Sequence, residues 1–467
     1  MPTTPDSTKF TLPTIFVIFG ITGDLVSKKI LKALYNLYLK KHLPEKFRVY
    51  GFSRRDYDDS KLKSYLRDIM EKGKYEQSDT YDIFLEAFFY VKGDFFEKSA
   101  YEHLAKTLGH IDGQWSICTN KLFYLAVPPT AYADIITNLH ATGLTIPCSP
   151  EEGWTRVILE KPFGTDLQNA IDLDRQLGEL FKEEQIYRVD HYLGKETVKN
   201  ILVFRFSNSF LTPVWNKEYI EQIEVRLMED IKVETRGEFY DKVGTLRDVG
   251  QNHMLQLLAL FLMKAPKSLD AQEIKSCRSE ALKSLQIMSP QEVARQTKRA
   301  QYKGYTSEKG VDPHSETETY FHIQATSRLP EFEGVPLILE SGKAQSELCI
   351  EVVVSFKESD LCLYAFPGKQ RNKLHYHLKP DEKISMRFLA KKPGFSNEVE
   401  QHELGFDYHA AYDAAEFVDD YEGLLYDIIK GDQTLFVSTD EIISEWKFIE
   451  PIIKTWHEDK KPELEIY

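Results

Sequence analysis

An apolar run that ends on a glycine turn and passes straight into helical spacing is the strongest constraint in this sequence. Thr14-Ile-Phe-Val-Ile-Phe19 is apolar at almost every position and rich in β-formers, as in a central parallel strand buried on both faces. It runs into Gly20-Ile-Thr-Gly-Asp-Leu-Val-Ser-Lys-Lys29, after which Ile30, Leu31, Leu34, Tyr35 and Tyr38 fall at helical spacing. The two glycines let the backbone turn tightly and approach a pyrophosphate, and the helix N-terminus stabilises its charge. Val26 stands where the third glycine of the full dinucleotide fingerprint is expected, so the motif gains its weight from the elements around it.

Those elements alternate. Strand candidates Phe47–Phe52, Phe88–Val91, Lys121–Val127 and Trp154–Leu159 are separated by helical stretches, which predicts an α/β Rossmann-like doubly wound domain over residues 1–188. The second strand is followed by Ser53-Arg54-Arg55, where an NAD enzyme places an acidic residue for the ribose hydroxyls. Arginine there suits a 2′-phosphate, and hence NADP. After about residue 190 the texture changes. Ile220–Met228, Thr317–Thr326, Glu347–Phe356, Lys373–Leu378 and Lys383–Leu389 follow one another without obligatory helices. This predicts an α+β domain, 189–467, with a large, mainly antiparallel sheet. Ser268 to Gly310 reads as charged helices and loops. A closing amphipathic helix carries Ser438 and Glu441 as a capping box and Ile442, Ile443, Trp446, Ile449 and Ile453 as its buried stripe.

Composition excludes several classes. Lys+Arg 59 against Asp+Glu 73 leaves a net charge of -14, which disfavours non-specific nucleic-acid binding. No run reaches the length of a membrane span, and the Pro/Thr/Ser-rich N-terminus has no basic region or cleavage site of a signal peptide. Five cysteines, Cys118, Cys148, Cys277, Cys349 and Cys362, give an odd count and no C-x-x-C pair. That argues against a disulfide framework and against a zinc site, and points to a reduced, cytoplasmic chain.

The chemistry concentrates in two segments, Tyr187-Arg-Val-Asp-His-Tyr-Leu-Gly-Lys-Glu196 and Gly244-Thr-Leu-Arg-Asp-Val-Gly-Gln-Asn-His253. Together they hold two histidines, two aspartates and a lysine next to glycine, a set able to grip a phosphate and abstract a proton. From Asp248 the second segment reads as a helix leading into the apolar Met254–Met263. At roughly 100° per residue Asp248, Asn252, His253 and Gln256 share one broad arc. A polar arc on a buried helix faces a partner or a cavity.

Taken in order, these motifs resemble the glucose-6-phosphate dehydrogenase family. The residues that carry the likeness are Gly20-x-x-Gly-Asp-Leu25, Leu122-Phe-Tyr-Leu-Ala-Val-Pro-Pro129, Glu160-Lys-Pro-Phe-Gly164, Arg188-Val-Asp-His-Tyr-Leu-Gly-Lys195, Arg247-Asp-Val-Gly-Gln-Asn-His253, Glu316-Thr-Glu-Thr319, Gly334-Val-Pro336, Gly342-Lys343 and Lys391-Lys-Pro-Gly394. The resemblance implies oxidation of glucose 6-phosphate to the 1,5-lactone with hydride transfer to NADP, the first step of the oxidative pentose phosphate pathway. It implies His253 as general base and Asp190 as the carboxylate that orients it. Substrate contacts are implied for Lys161, His191, Tyr192, Lys195, Glu229, Asp248 and Lys343. Coenzyme contacts are implied for Gly20, Thr22, Gly23, Asp24, Leu25, Lys29, Arg54, Gly93, Asp94, Tyr132 and again Lys161. A homo-dimer or homo-tetramer is expected, its interface built by the large sheet. The alternatives are a related sugar-phosphate oxidoreductase, or a non-catalytic NADP-binding sensor, which would have no reason to keep both His253 and Asp190.

The chain also departs from the family pattern, as a divergent, bacterial-type member. Leu348 stands five positions after Lys343, where a lysine or arginine is usual. Glu340 replaces a frequent arginine, Lys379 a frequent glutamine, and Pro330-Glu-Phe-Glu333 the residues common before Gly-Val-Pro. Some members hold a second NADP partly through the arginine that Glu340 replaces, so one NADP per chain is expected here.

Overall fold

The computed structural model describes residues 12–148, 153–358, 371–413 and 416–467. The expectations for the extreme N-terminus and for Cys362 lie outside these residues. The chain divides into two compact units, Met1–Gly194 with Val418–Ser438, and Lys195–Phe417 with Thr439–Tyr467.

In the first unit, β1 (Thr14–Phe19), β2 (Phe47–Ser53), β3 (Phe88–Lys92), β4 (Asn120–Leu125), β5 (Thr155–Glu160) and β6 (Ile186–Val189) form a parallel sheet in the order β6-β5-β4-β1-β2-β3. This is the doubly wound order that the strand–helix alternation predicts. Every residue of β1 is buried, as its continuous apolar pattern requires. The strand order reverses between β1 and β4, whose carboxyl ends therefore open the crevice in which such sheets bind ligands.

A single boundary at residue 188 did not anticipate the return of Val418–Ser438 to this unit. The helix Asp420–Lys430 buries Tyr421, Leu424, Leu425, Ile428 and Ile429 in the same core as Ile30, Leu34 and Val49. Phe436–Val437 then adds an antiparallel strand to the β6 edge, with Phe436 opposite Val189. Helical periodicity gives the buried face of that segment but not the sheet it covers.

The reading of the cysteines is corrected here. Cys118 and Cys148 form a disulfide across 30 residues. β4 and β5 are parallel neighbours, with Lys121 opposite Thr155, so the loop entering β4 and the loop entering β5 meet at one edge of the sheet. Counting cysteines cannot see that juxtaposition. Among the described residues Cys277 and Cys349 are free.

The second unit is built on β7 (Ile220–Met228), β8 (Thr297–Gln301), β9 (Tyr320–Ala325), β10 (Leu337–Gly342), β11 (Cys349–Phe356), β12 (Lys373–Lys379), β13 (Lys383–Lys391), β14 (Val399–Asp407) and, after the short β15 (Phe436–Val437) of the first unit, β16 (Leu464–Ile466). Their order is β14-β13-β12-β11-β7-β10-β9-β8-β16, antiparallel except for β7 with β10 and β8 with β16. β8 lies inside the stretch read as charged helices and loops. Its Thr-Lys-Arg-Ala-Gln has only one apolar residue, and its pairing with β9 and β16 makes it a strand. In the closing helix, Thr439–Glu458, the expected stripe is buried at Ile442, Trp446, Ile449 and Ile453. Ile443 is only partly covered. The Glu441 carboxylate accepts from Arg278 Nε at 2.7 Å, both side chains being almost wholly buried. Among the described residues no helix is long and apolar enough to cross a membrane.

Candidate functional site

The candidate residues fall into two sets, one in each unit. In the first, Gly20 has φ +79°, and a Cβ there would stand 2.4 Å from the Ala126 carbonyl oxygen that leaves β4. Both the left-handed backbone and the close approach require glycine. Gly23 N donates to Gly20 O at 2.8 Å and closes the turn. The helix that follows begins with i+5 bonding over Val26–Ile30 before settling into Leu31–Leu39. The motif thus presents backbone N–H groups at a helix start beside the strand-order reversal, which fits a dinucleotide pyrophosphate.

Around this turn, Thr22 Oγ1 lies 3.4 Å from Ser53 Oγ, which holds the carboxyl end of β2, and with it the exposed Arg54, beside the glycine turn. Asp24 is exposed and pairs with Lys28 at 2.8 Å. Leu25 packs against the core, and Lys29 lies 5.8 Å from the centre of the Tyr421 ring. Gly93 and Asp94 have structural roles of their own. A Cβ on Gly93 would press into the Phe52 ring at 2.4 Å, and Asp94 Oδ1 accepts from Phe96 N at 3.0 Å. Tyr132, for which a coenzyme contact is expected, also has a structural partner. Its side chain is 1% exposed and its hydroxyl donates to the Glu160 carbonyl at 2.9 Å, so it braces the end of β5.

Glu160 shares a motif with Lys161 but, unlike its neighbour, carries no role in the sequence reading. Its Oε1 accepts from the Tyr124 hydroxyl at 2.5 Å. Burial raises its carboxyl to about 7 against the pull of Tyr124, Lys161 and Tyr421. Beyond β6 the backbone turns at once: Asp190, 1% exposed, accepts from Tyr192 N at 3.0 Å through Oδ1, and its carbonyl accepts from Leu193 N. The His191 ring lies nearly parallel to Tyr421, with centroids 6.2 Å apart, and edge-on to Tyr192. Gly194 lets this loop close, since a Cβ there would meet the Asp420 carbonyl at 3.0 Å. Tyr421 therefore touches three parts of this set. No local motif marked it, because it arrives from more than two hundred residues downstream.

In the second unit, Lys195 is buried and its carbonyl accepts from Val198 N and Lys199 N as the helix Glu196–Ser207 begins. β7 and β10 run parallel with Met228 opposite Gly342. The next residue of each, Glu229 and Lys343, thus emerges at the same edge. Lys343 Nζ donates to Glu229 Oε2 at 2.5 Å and lies 5.4 Å from the centre of the Tyr240 ring. Burial, then Asp248, and more weakly Glu229, raise the Tyr240 hydroxyl far above its ordinary value. Tyr240, which the sequence reading missed, gathers Glu229, Asp248 and Lys343 around one phenol. Arg236 Nη2 stands 3.8 Å from Asp248.

The helix carrying Asp248 and His253 differs from expectation in its winding. Leu246–Met254 bonds i to i+5 and only Leu255–Leu262 is α-helical, so a uniform 100° per residue does not describe its faces. Gln251 and Gln256, five apart, both donate to Glu445, at 3.2 and 2.6 Å. Gln256 is thereby a structural anchor rather than part of the polar arc. Asn252 Oδ1 accepts from His253 N at 2.7 Å, and His253 is 1% exposed. The N-terminus of this helix is held by Glu318, whose Oε1 accepts from Leu246 N at 3.0 Å and whose carbonyl accepts from Thr245 N. That explains the Glu316–Thr319 motif, and it explains Gly244, with φ +75° and room for no Cβ against Glu318.

Two family models match the chain, "Glucose-6-phosphate dehydrogenase, NAD binding domain" over residues 17–200 and "Glucose-6-phosphate dehydrogenase, C-terminal domain" over 202–467. A glucose-6-phosphate 1-dehydrogenase of Aggregatibacter actinomycetemcomitans is 38% identical, covering 94% of this chain and 90% of its own length. One of Dictyostelium discoideum is 36% identical over 99% and 92%. Among solved structures, a glucose-6-phosphate dehydrogenase in complex with its substrate superposes with a TM-score of 0.89 at 31% identity, covering 99% of this chain and 95% of that one. The Mycobacterium avium enzyme does so at 0.84 and 30%, covering 98% and 94%. The chain belongs to the glucose-6-phosphate dehydrogenase family, and its first domain is of the nicotinamide-dinucleotide-binding kind.

Proposed function

We propose that this chain oxidises the C1 hydroxyl of D-glucose 6-phosphate to 6-phospho-D-glucono-1,5-lactone with NADP+ as the coenzyme, the first step of the oxidative pentose phosphate pathway. The observation that carries the reading is the parallel register of β7 and β10, which sets Glu229 and Lys343 side by side with Tyr240 and Asp248. Two partly buried carboxylates with a buried lysine and phenol offer the acceptors and donors that a polyhydroxylated ring needs. His191, Tyr192 and Lys195 hold the phosphate, Lys195 as a compact cation and His191 as a directional donor, and Lys161 lies near the substrate toward the nicotinamide side. His253 takes the proton of the C1 hydroxyl, and Asp190 compensates the imidazolium that results. When bound, the coenzyme supplies the hydride acceptor. Gly20, Thr22, Gly23, Asp24, Leu25 and Lys29 line its pyrophosphate turn, and Arg54 reads the 2′-phosphate that distinguishes NADP from NAD.

The reading includes a homo-dimer or homo-tetramer; it also includes a cytoplasmic location, which a 35% identical relative, the cytoplasmic glucose-6-phosphate 1-dehydrogenase 6 of Arabidopsis thaliana, supports. Absorbance of NADPH, followed on mixing the protein with NADP+ and a panel of hexose phosphates, tests the assignment. Reduction with glucose 6-phosphate at a kcat/KM well above that with the other sugars is expected. A faster reaction with another hexose phosphate, or none with any, refutes it.

A further inference from the structure

A second cluster of metal-ligating side chains lies on the large sheet of the second unit, at positions the proposed reaction does not use. β11 and β12 are antiparallel neighbours with Glu351 opposite His377 and Val353 opposite His375. His375 and His377, two apart on one strand, project to the same face. Both approach a single carboxylate oxygen: His375 Nδ1 is 3.3 Å and His377 Nδ1 3.4 Å from Glu351 Oε2. The imidazoles stack with centroids 5.3 Å apart and planes within 9°. One ligand atom from each of the three residues lies within 4.8 Å of the others.

The His375 contact is within reach of a long hydrogen bond, and both distances also have the length that a coordination site requires. An imidazolium donating to a carboxylate closes to about 2.7–2.9 Å. Two ligands bound tetrahedrally to one ion at about 2.0–2.1 Å stand roughly 3.3–3.4 Å apart. The observed separations have the second value, twice, at the same oxygen. The other carboxylate oxygen is already taken, since Arg226 Nη1 lies 3.2 Å from Oε1. Arg226 thus turns Oε2 toward the histidines, the orienting role that outer partners play in metal sites. Its charge is shared with Glu340, 3.4 Å from its Nε, so two carboxylates face one guanidinium and the row keeps a negative balance for a cation. Access exists as well: the His377 side chain is 27% exposed, whereas His375 and Glu351 are 8% exposed.

We propose that Glu351, His375 and His377 form a binding site for a divalent transition ion of the zinc class, with two imidazole nitrogens and one carboxylate oxygen as ligands and the fourth position left to water. Imidazole and carboxylate donors suit that class better than they suit calcium or magnesium. The ion bridges β11 and β12 and so fixes their register at the middle of the sheet.

The test uses the full chain, dialysed against chelator and then titrated with zinc chloride by calorimetry, and in parallel with cobalt chloride by visible absorption. One ion per chain is expected, with the intense visible bands of four-coordinate cobalt. His375→Ala and His377→Asn should each weaken zinc binding at least tenfold and remove those bands. His377 is partly exposed, so its variant is expected to keep the fold, which circular dichroism checks. Zinc uptake of equal stoichiometry and affinity in the parent and the His375→Ala/His377→Asn chain overturns the site, as does a cobalt spectrum no different from that of the hydrated ion.

Discussion

Removing the Glu229 charge tests the sugar cradle where it is best defined. Lys343 is buried and its ammonium rests on Glu229 at 2.5 Å, the carboxylate side chain being 28% exposed. Breaking a fully buried pair from one side costs about 3–5 kcal/mol, and breaking an exposed one about 0–1 kcal/mol. With one partner buried and the other partly wet, Glu229→Gln should cost about 2 kcal/mol of stability in the second unit. Lys343→Met, which removes the cation and keeps the stem packed on Tyr240, should cost about 1–2 kcal/mol. The double variant should lose less than the sum of the two by about 1–1.5 kcal/mol, because neither charge is left alone. In the proposed catalysis the same pair meets the sugar, so each single variant should lower kcat/KM for glucose 6-phosphate by roughly 30-fold, which corresponds to about 2 kcal/mol. Urea unfolding and steady-state NADPH formation on the four proteins give both cycles. Strict additivity in stability means the pair is not coupled. Unchanged kcat/KM in Glu229→Gln removes the carboxylate from the substrate.

His253→Asn should retain substrate and coenzyme binding while lowering kcat by about 10²- to 10⁴-fold, the contribution of a positioned general base, and near-parental turnover refutes that role. Arg54→Ala should weaken NADP binding by about 1.5–3 kcal/mol and leave NAD nearly untouched, as fluorescence titration of the two coenzymes will show; equal losses deny the 2′-phosphate contact. Glu160 is expected to set a pH dependence: its carboxyl is raised from 4.5 to about 7 in the folded chain, so the fold keeps this proton longer than the unfolded chain does. Its contribution to stability therefore falls as pH rises from about 4.5 to about 7 and is level above, and Glu160→Gln should gain up to about 3 kcal/mol over the parent at pH 8 with little gain at pH 4, a difference that denaturant titrations at several pH values would disprove if parent and variant ran parallel. One NADP per chain is expected by calorimetry, because Glu340 accepts from the Tyr320 hydroxyl at 2.7 Å and presents a carboxylate where a dinucleotide phosphate would need a cation; two sites per chain would overturn this.

The Rossmann-like domain was legible because its evidence is local. A buried parallel strand, a glycine turn and a helix are each written in consecutive residues, and the order of five such units leaves little freedom in topology. The antiparallel strands β7, β11, β12 and β13 were legible for the same reason. What could not be read is what depends on distant pairing. β8 and the short β16 have no strand signature of their own and exist through the neighbours they bond. The disulfide between Cys118 and Cys148 depends on two loops that only the register of β4 and β5 brings together. Tyr421 reaches the Asp190–Gly194 loop only because the chain returns to the first unit after residue 417.

The helix bearing Asp248 and His253 shows why a motif can be read correctly in identity and wrongly in geometry. Its residue types announce a polar face on a buried helix. The stretch of i+5 bonds over Leu246–Met254 then changes which of them share that face. Glu318 fixes the N-terminal end, and Glu445 receives Gln251 and Gln256 from the far side. A carboxylate from the loop before β9 and one from the closing helix thus hold the segment that carries the proposed base. A site whose geometry must be held to within about half an ångström needs such support on both sides. The motif Glu316–Thr319 and the glutamines beside His253 are, on this account, as much a part of the proposed chemistry as the groups assigned to the sugar.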